Sequence, residues 1–214
     1  MLDDIWVDDS VLALRPDFAV LVMTAHGLSN GPTDDRTRAW LTEASEAEVQ
    51  ADKIDAWKDA YRAFGAKPQR TRPSVDALTR RMPLPEINRA VDAYNSISVK
   101  HALPIGGEDL DRYVGPARLV RAVGDEPSEE ALGQPEPGEV IWRDDAGVTC
   151  RRWNWRQVVR TRLTEETTNA IFLLERLEPM SLEELKQAGE ELADLLSELS
   201  PEVRITSRLL SSVK

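Results

Sequence analysis

Cysteine occurs once, at Cys150, and histidine twice, at His26 and His101. A single thiol excludes an internal disulfide. A zinc site needs three or four His, Cys or carboxylate ligands converging in space. These three residues lie far apart in the chain and none belongs to a paired ligand motif. No metal and no cofactor is expected. Long apolar runs are missing too: the longest, residues 18–23, falls far below the roughly 20 residues of a membrane helix. The opening MLDDIWVDDS is acidic and lacks the basic start and apolar core of a secretory signal. These absences place the chain, as an expectation, in the reducing cytosol and away from membranes.

The usual catalytic and nucleotide signatures are likewise missing. There is no Gly-x-Ser-x-Gly elbow for a serine hydrolase, no GxxxxGK[ST] and no GxGxxG. Glu108, Asp109 and Asp111 are close enough in sequence to suggest a cation site. Aspartates in a glycine-rich turn more commonly cap backbone N–H groups, and that reading is preferred.

Net charge is −11, which argues against a protein that coats nucleic acid nonspecifically, because phosphate binding requires clustered Lys and Arg. The cations are nevertheless grouped. Lys67, Arg70, Arg72, Arg80, Arg81 and Arg89 face only Asp76 and Glu86 within residues 67–89, and residues 151–162 carry five arginines and no acid. A charge run by itself is usually a solvated helix face. Two basic islands in an acidic chain suit local phosphate capture with repulsion elsewhere.

Hydrophobic periodicity predicts mixed α and β structure. Residues 17–26 read as a buried strand, 32–50 and 53–64 as amphipathic helices, 74–82 as a short helix and 87–101 as another helix. Residues 103–111 read as a turn-rich loop because of Gly106 and Gly107. Strands are expected at 117–123, 139–142, 148–155, 167–177 and 203–209. Ser181 with Glu184 three residues on forms a capping-box pattern that opens a helix. Its apolar face is expected to pack within the same domain. With no repeat and no long linker, residues 1–214 are expected to form one α+β domain, a mixed sheet flanked by helices.

Asn88, Asp92 and Asn95 recur at i, i+4 and i+7, a polar row on one face of the 87–101 helix. Such a row normally faces solvent. Beside Arg89, Tyr94 and the Gly106–Gly107 pair it also has the makings of a small polar pocket with backbone donors and no strong nucleophile.

The sequence PEINRAVDAYN at 85–95 resembles the Asn-x-Val-Val-Asp-x-Thr-Asn helix in the editing domain of the bacterial phenylalanyl-tRNA synthetase beta subunit, the B-three/B-four module. Eleven residues after Asn95, Gly106–Gly107–Glu108–Asp109–Leu110–Asp111 takes the place of that family's His-Ala-Phe-Asp-Leu-Asp turn. Residues 163–169, LTEETTN, are similar to its Val-Thr-Glu-Glu-Thr-Thr-Asn. The resemblance spans roughly residues 18–177, with the helix and strand of 181–209 packed on it, and no counterpart of the aminoacylation modules is present. It implies the fold of that editing domain and a free-standing, trans-acting deacylase that hydrolyses mischarged aminoacyl-tRNA, the second sieve used when binding alone discriminates too little.

By position, Tyr94 and Asn95 match the family's pocket-lining Thr-Asn, and Gly106 matches its histidine. The resemblance implies a substrate pocket of Asn88, Arg89, Tyr94, Asn95, Gly106 and Gly107. Arg80, Arg81, Arg151, Arg152 and Arg156 would guide the tRNA acceptor end and its attached amino acid. No catalytic residue is assigned. Tyr94 adds bulk, Gly106 removes a side chain, and the family's later Gly-Gly-Glu segment is replaced near Trp153–Asn154–Trp155–Arg156, so a different amino-acid preference is implied. Trp153 and Trp155, two apart on the expected 148–155 strand, suit either base stacking or sheet packing. A noncatalytic RNA-binding module and an amino-acid binder or hydrolase that never meets tRNA remain the alternatives.

Overall fold

The computed structural model describes residues 2–212. It is an α+β fold whose strands divide into two sheets flanked by helices. The first sheet runs β1 (Trp6–Val7), β4 (Arg118–Arg121), β5 (Val140–Asp144), β6 (Gly147–Arg151) and β7 (Arg156–Gln157), with β1 parallel to β4 and the other pairs antiparallel. The second is antiparallel throughout, in the order β3 (Ile105–Asp109), β8 (Asn169–Arg176), β2 (Ala19–His26) and β9 (Arg204–Ser211). The helices are α1 (Asp9–Leu14), α2 (Asp35–Ser45), α3 (Ala51–Ala63), α4 (Ser74–Thr79), α5 (Arg89–His101) and α6 (Leu182–Leu199).

Strands β2 and β8 are largely apolar, Ala19–Ala25 and Ala170–Leu174 being buried and, save for Thr24, apolar, because both faces of the second sheet are covered. Alternation of side chains across a strand sends Val20, Val22, Ile171 and Leu173 into one core. There they meet Leu119, Val140, Trp142 and Cys150 of the first sheet and Ile54, Trp57 and Tyr61 of α3. Leu21, Met23, Phe172 and Leu174 point the other way, against Ala93 and Ile97 of α5 and Leu185, Ala188, Leu192 and Leu196 of α6. The capping box at Ser181 and Glu184 forms as the sequence predicts, and α6 lies on the sheet of its own chain.

Two expectations are corrected. Residues 103–111 are not a loop, because Ile105–Asp109 pair with β8 from Ile105 opposite Leu174 to Asp109 opposite Ala170. Glycines weaken an isolated strand. Here Gly107 is needed, since a Cβ at that position would sit 2.6 Å from the Tyr94 ring. The expected 148–155 strand stops at Arg151, where Arg152 (φ 47°) and Trp153 (φ 65°) turn the chain through the left-handed region before β7. The N-terminal β1 and α1 carry too little periodicity to read, although the Asp8 side chain caps α1 by accepting from the Ser10 N–H.

The β5–β6 hairpin brings Trp142 and Cys150 to the inter-sheet core, and its turn closes at Gly147 (φ 133°). A Cβ there would collide with the Pro127 carbonyl oxygen as well as strain the backbone. Gly147→Ala is expected to lower stability by about 2 kcal/mol, measured as a shift in the urea midpoint with an unchanged slope.

Candidate functional site

The two sheets and α4 enclose a cavity of about 210 Å³. Its floor is the second sheet's inward face. Glu108 lies opposite Ile171 and Gly106 opposite Leu173, so Glu108, Gly106, Leu173 and Glu175 share that face. Four residues of register separate Glu108 from Glu175, about 13 Å along the strand. Gly106 opens the space between them. Trp142, Cys150 and Trp153 form the opposing wall, with Ser74 and Arg81 from the α4 side, Tyr94 and Asn95 from α5, and Asn154–Gln157 completing the lining.

Both floor carboxyl groups are buried without a cation bonded to them. The Glu175 oxygens accept from the Trp142 indole N–H at 2.7 Å and the Asn154 amide at 2.8 Å. Asn154 Oδ1 in turn accepts from the Tyr61 hydroxyl at 2.9 Å and the Ser74 N–H at 3.3 Å. Burial pushes Glu175 up to about 8, against the pull of those two donors. Glu108 accepts from the Thr161 hydroxyl at 2.5 Å, and burial pushes it up to about 7.

Unbonded polar groups collect here. Native proteins satisfy nearly all buried polar atoms, and exceptions ask for an explanation. The covered side-chain atoms without a well-aligned hydrogen bond among the described residues are Ser74 Oγ, Trp153 Nε1, Glu108 Oε1, which the Tyr113 hydroxyl approaches, and Arg89 Nε, which instead forms an ion pair with Asp34. All but the Arg89 atom belong to cavity-lining residues. The Tyr94 hydroxyl and the Asn95 carboxamide, on consecutive residues of the lining, also make no hydrogen bond within the described residues. Burial pushes the Tyr94 phenol well up, which keeps it a donor. The Cys150 thiol is buried and likewise pushed up, so it is no thiolate nucleophile. Both histidines lie outside the lining, bonded to Asn169 and Glu191. The lining can orient a polar ligand and water, and the raised Glu108 and Glu175 carboxyls can exchange protons near neutral pH.

The predicted pocket residues are divided. Tyr94, Asn95 and Gly106 line the cavity, while Gly107 packs beneath the Tyr94 ring. Asn88 does not reach it, because its Oδ1 caps α5 at Val91 N–H and its Nδ2 donates to the Leu163 carbonyl. Arg89 also lies elsewhere, paired with Asp34 at 2.9 Å. Asp92 is locked by Thr33, Thr37 and the Ile87 N–H. The polar row is therefore buried, and most of it fastens α5 to its neighbours.

Of the predicted RNA-facing arginines, Arg81 and Arg156 line the cavity. Arg80 is half-exposed beside Asp76 at 3.1 Å. Arg152 is partly exposed, with its Nε 3.6 Å from Glu139, and Arg151 is buried and held by the same carboxylate at 2.7 Å, so the Arg151 guanidinium is occupied within the fold. Among the described residues no group of three or more His, Cys, Asp or Glu is arranged to hold a metal. Asp109 and Asp111 accept from Thr167 and Asn169 instead. No helix of the described residues is long and apolar enough to cross a membrane.

Sequence reading missed Trp142, Asn154 and Glu175. One signal was present: Glu175 is an acid inside the apolar strand NAIFLLER, where a charge is tolerated only with dedicated partners.

The site is thus a cavity between the two sheets of an α+β fold, with two buried carboxyls in its floor and no activated thiol or histidine-paired hydroxyl among the described residues. The model of the B3/4 domain family matches residues 56–201, more than half of the chain, and the chain belongs to that family. Among solved structures it is similar to an N-terminal fragment of the phenylalanyl-tRNA synthetase beta subunit from Pyrococcus horikoshii, at 13% identity and a TM-score of 0.49. The match covers 96% of this chain and 53% of that one, so the chain spans about half that structure's length. No curated protein matches.

The raised carboxyls set a pH dependence. A carboxyl whose folded pKa lies above its unfolded value binds more protons in the folded state, so its contribution is complete below the unfolded pKa and is lost as pH rises through the folded one. Stability is expected to fall between about pH 5 and pH 8, with Glu108 contributing on the order of 3 kcal/mol. Glu108→Gln is expected to flatten that slope, leaving the part due to Glu175, as measured by denaturant titration at several pH values.

Proposed function

We propose that the cavity receives the aminoacyl end of a mischarged tRNA and promotes hydrolysis of its ester. The observation that carries this reading is the pair Tyr94 and Asn95, whose hydroxyl and carboxamide line an amino-acid-sized cavity with no partner in the fold. Membership of the B3/4 family and the likeness of 85–95 and 163–169 to the synthetase editing domain support the tRNA ester as ligand. The aromatic wall of Trp142 and Trp153 suits the amino-acid side chain, and Arg81 and Arg156 suit the phosphates beside it.

Water is the nucleophile in this scheme. Its oxygen attacks the ester carbonyl carbon, the bond to the ribose oxygen breaks, and the proton lost by water ends on that oxygen. The protein's contribution is positioning, with Tyr94 and Asn95 as donors able to follow charge developing on the carbonyl oxygen.

The test is release of amino acid from a panel of mischarged tRNAs by wild type and Asn95→Ala. Because Asn95 makes no internal hydrogen bond, the variant is expected to fold normally and lose about ten-fold or more in rate, as for one lost polar contact to the transition state. Binding of tRNA with no release from any member would instead mark a noncatalytic RNA-binding module. Salt-independent binding of a free amino acid, uncompeted by tRNA, would mark a site that does not use tRNA.

A further inference from the structure

Eight carboxyl side chains are buried among the described residues, and seven of them hold a donor on each oxygen. Glu139 takes Arg151, Asp76 takes Arg72 and Arg80, and Asp144 takes Arg160. Asp92, Asp109, Glu126 and Glu175 use hydroxyl, amide, indole or backbone N–H groups instead. Glu108 is the exception. Its Oε2 accepts from the Thr161 hydroxyl at 2.5 Å. Its Oε1 has no well-aligned donor, since the Tyr113 hydroxyl that approaches it also bonds Thr149 Oγ1 at 3.5 Å.

Glu108 also lines the cavity and lacks a counter-charge. Arg160 is the cation that acts on it, but both of that guanidinium's nitrogens lie 2.9 Å from oxygens of Asp144, and Asp144 adds a like charge. The other titratable groups that feel Glu108 are the Tyr94 and Tyr113 phenols and the Cys150 thiol, all kept neutral by burial. A buried carboxylate is normally paired or fully hydrogen-bonded. One that is neither, on the wall of a cavity, is placed to receive its counter-charge from a ligand.

We propose that Glu108 is an ammonium anchor, and that the cavity takes a ligand bearing a primary amine, with the cation at the Glu108 carboxylate and an apolar body against Trp142 and Trp153. A primary ammonium supplies both a donor for Oε1 and the missing charge, whereas a neutral hydroxyl supplies only the donor. A metal ion would need further oxygen ligands, and no group of three His, Cys, Asp or Glu among the described residues is arranged to provide them. The volume of about 210 Å³ exceeds the roughly 150 Å³ that holds a benzene ring, so an aromatic amine fits. Identifying this amine as the α-ammonium of an aminoacyl ester rests on the proposed function, and means that esters with a free α-amino group are accepted over N-acylated ones. The anchor itself requires only an amine.

The experiment measures binding of 2-phenylethylamine and of its neutral counterpart 2-phenylethanol by calorimetry, with wild type and Glu108→Gln. Circular dichroism verifies folding. At pH 8 wild type is expected to bind the amine about ten-fold or more tightly than the alcohol, as for one charge-assisted hydrogen bond. The amine stays protonated from pH 6 to pH 8, while burial pushes Glu108 up to about 7. Amine affinity should therefore rise about ten-fold across that interval as the carboxylate forms, and the alcohol's should stay level. At pH 6.5, two buffers of different ionisation enthalpy should reveal a proton released as the amine binds. Glu108→Gln should bind both probes alike at every pH. If that variant fails to fold, the pH dependence and proton release of wild type decide. Equal affinity for amine and alcohol, binding of neither, no proton release, or a variant that keeps the preference would each overturn the anchor. The expected amine binding without deacylation of any mischarged tRNA would sink the hydrolysis reading and leave the anchor standing. Deacylation without amine preference would do the reverse.

Discussion

The carboxyl group of Glu175 joins nearly every element that encloses the cavity. It rises from β8 and accepts from Trp142 of the opposite sheet and from Asn154 of the turn, and Asn154 accepts from Tyr61 of α3 and the backbone of Ser74 in α4. A carboxyl removed from water is costly unless its oxygens are hydrogen-bonded. The partners must therefore arrive together, and two sheets and two helices are held in one relation. The inter-sheet core of Val20, Val22, Leu173 and Trp142 supplies the apolar driving force. The hydrogen-bond hub selects one docking among those the apolar surfaces would tolerate.

The turn after β6 depends on that docking. Trp153 takes an unfavourable φ and still belongs to the core, because its ring packs edge-on against Phe18 and Trp57 at 5.1 and 5.4 Å. Aromatic contacts of this geometry contribute about 0.5–1.5 kcal/mol each beyond area burial, comparable with the strain. The same twist keeps Trp155 out of the core, beside the Arg152 and Arg156 guanidinium groups. Core packing and surface chemistry are thus two results of one backbone conformation.

Helix α5 shows polar side chains serving structure and site at once. Asn88 and Asp92 are consumed by caps and by Thr33 and Thr37, fixing the helix rotation about its axis. With that rotation set, Tyr94 and Asn95 face the cavity and Gly107 admits the Tyr94 ring. The absence of a side chain at Gly106 keeps the floor open, as a Cβ there would approach Gln157 Nε2 to 3.1 Å.

Local pattern by itself determined much of this protein. The apolar runs of β2 and β8, the amphipathic spacing of α2, α3 and α6 and the capping box at Ser181 are short-range signals, since strand and helix periods are set by neighbouring residues. The motifs at 85–95 and 163–169 carried the family likeness, and Tyr94, Asn95 and Gly106, which line one cavity, were legible together. Only the tertiary structure decided the rest. Gly106 and Gly107 read as a turn because glycine permits one, and pairing with β8 made them a strand. Asn88, Asp92 and Arg151 read as available polar groups, yet their partners, at Leu163, Thr33 and Glu139, are brought to them only by folding. Glu175 looked like an isolated acid in an apolar strand until the opposite sheet supplied its donors. Whether a polar residue faces a ligand or a neighbour depends on what the fold places against it, and that contact has no local period in the sequence.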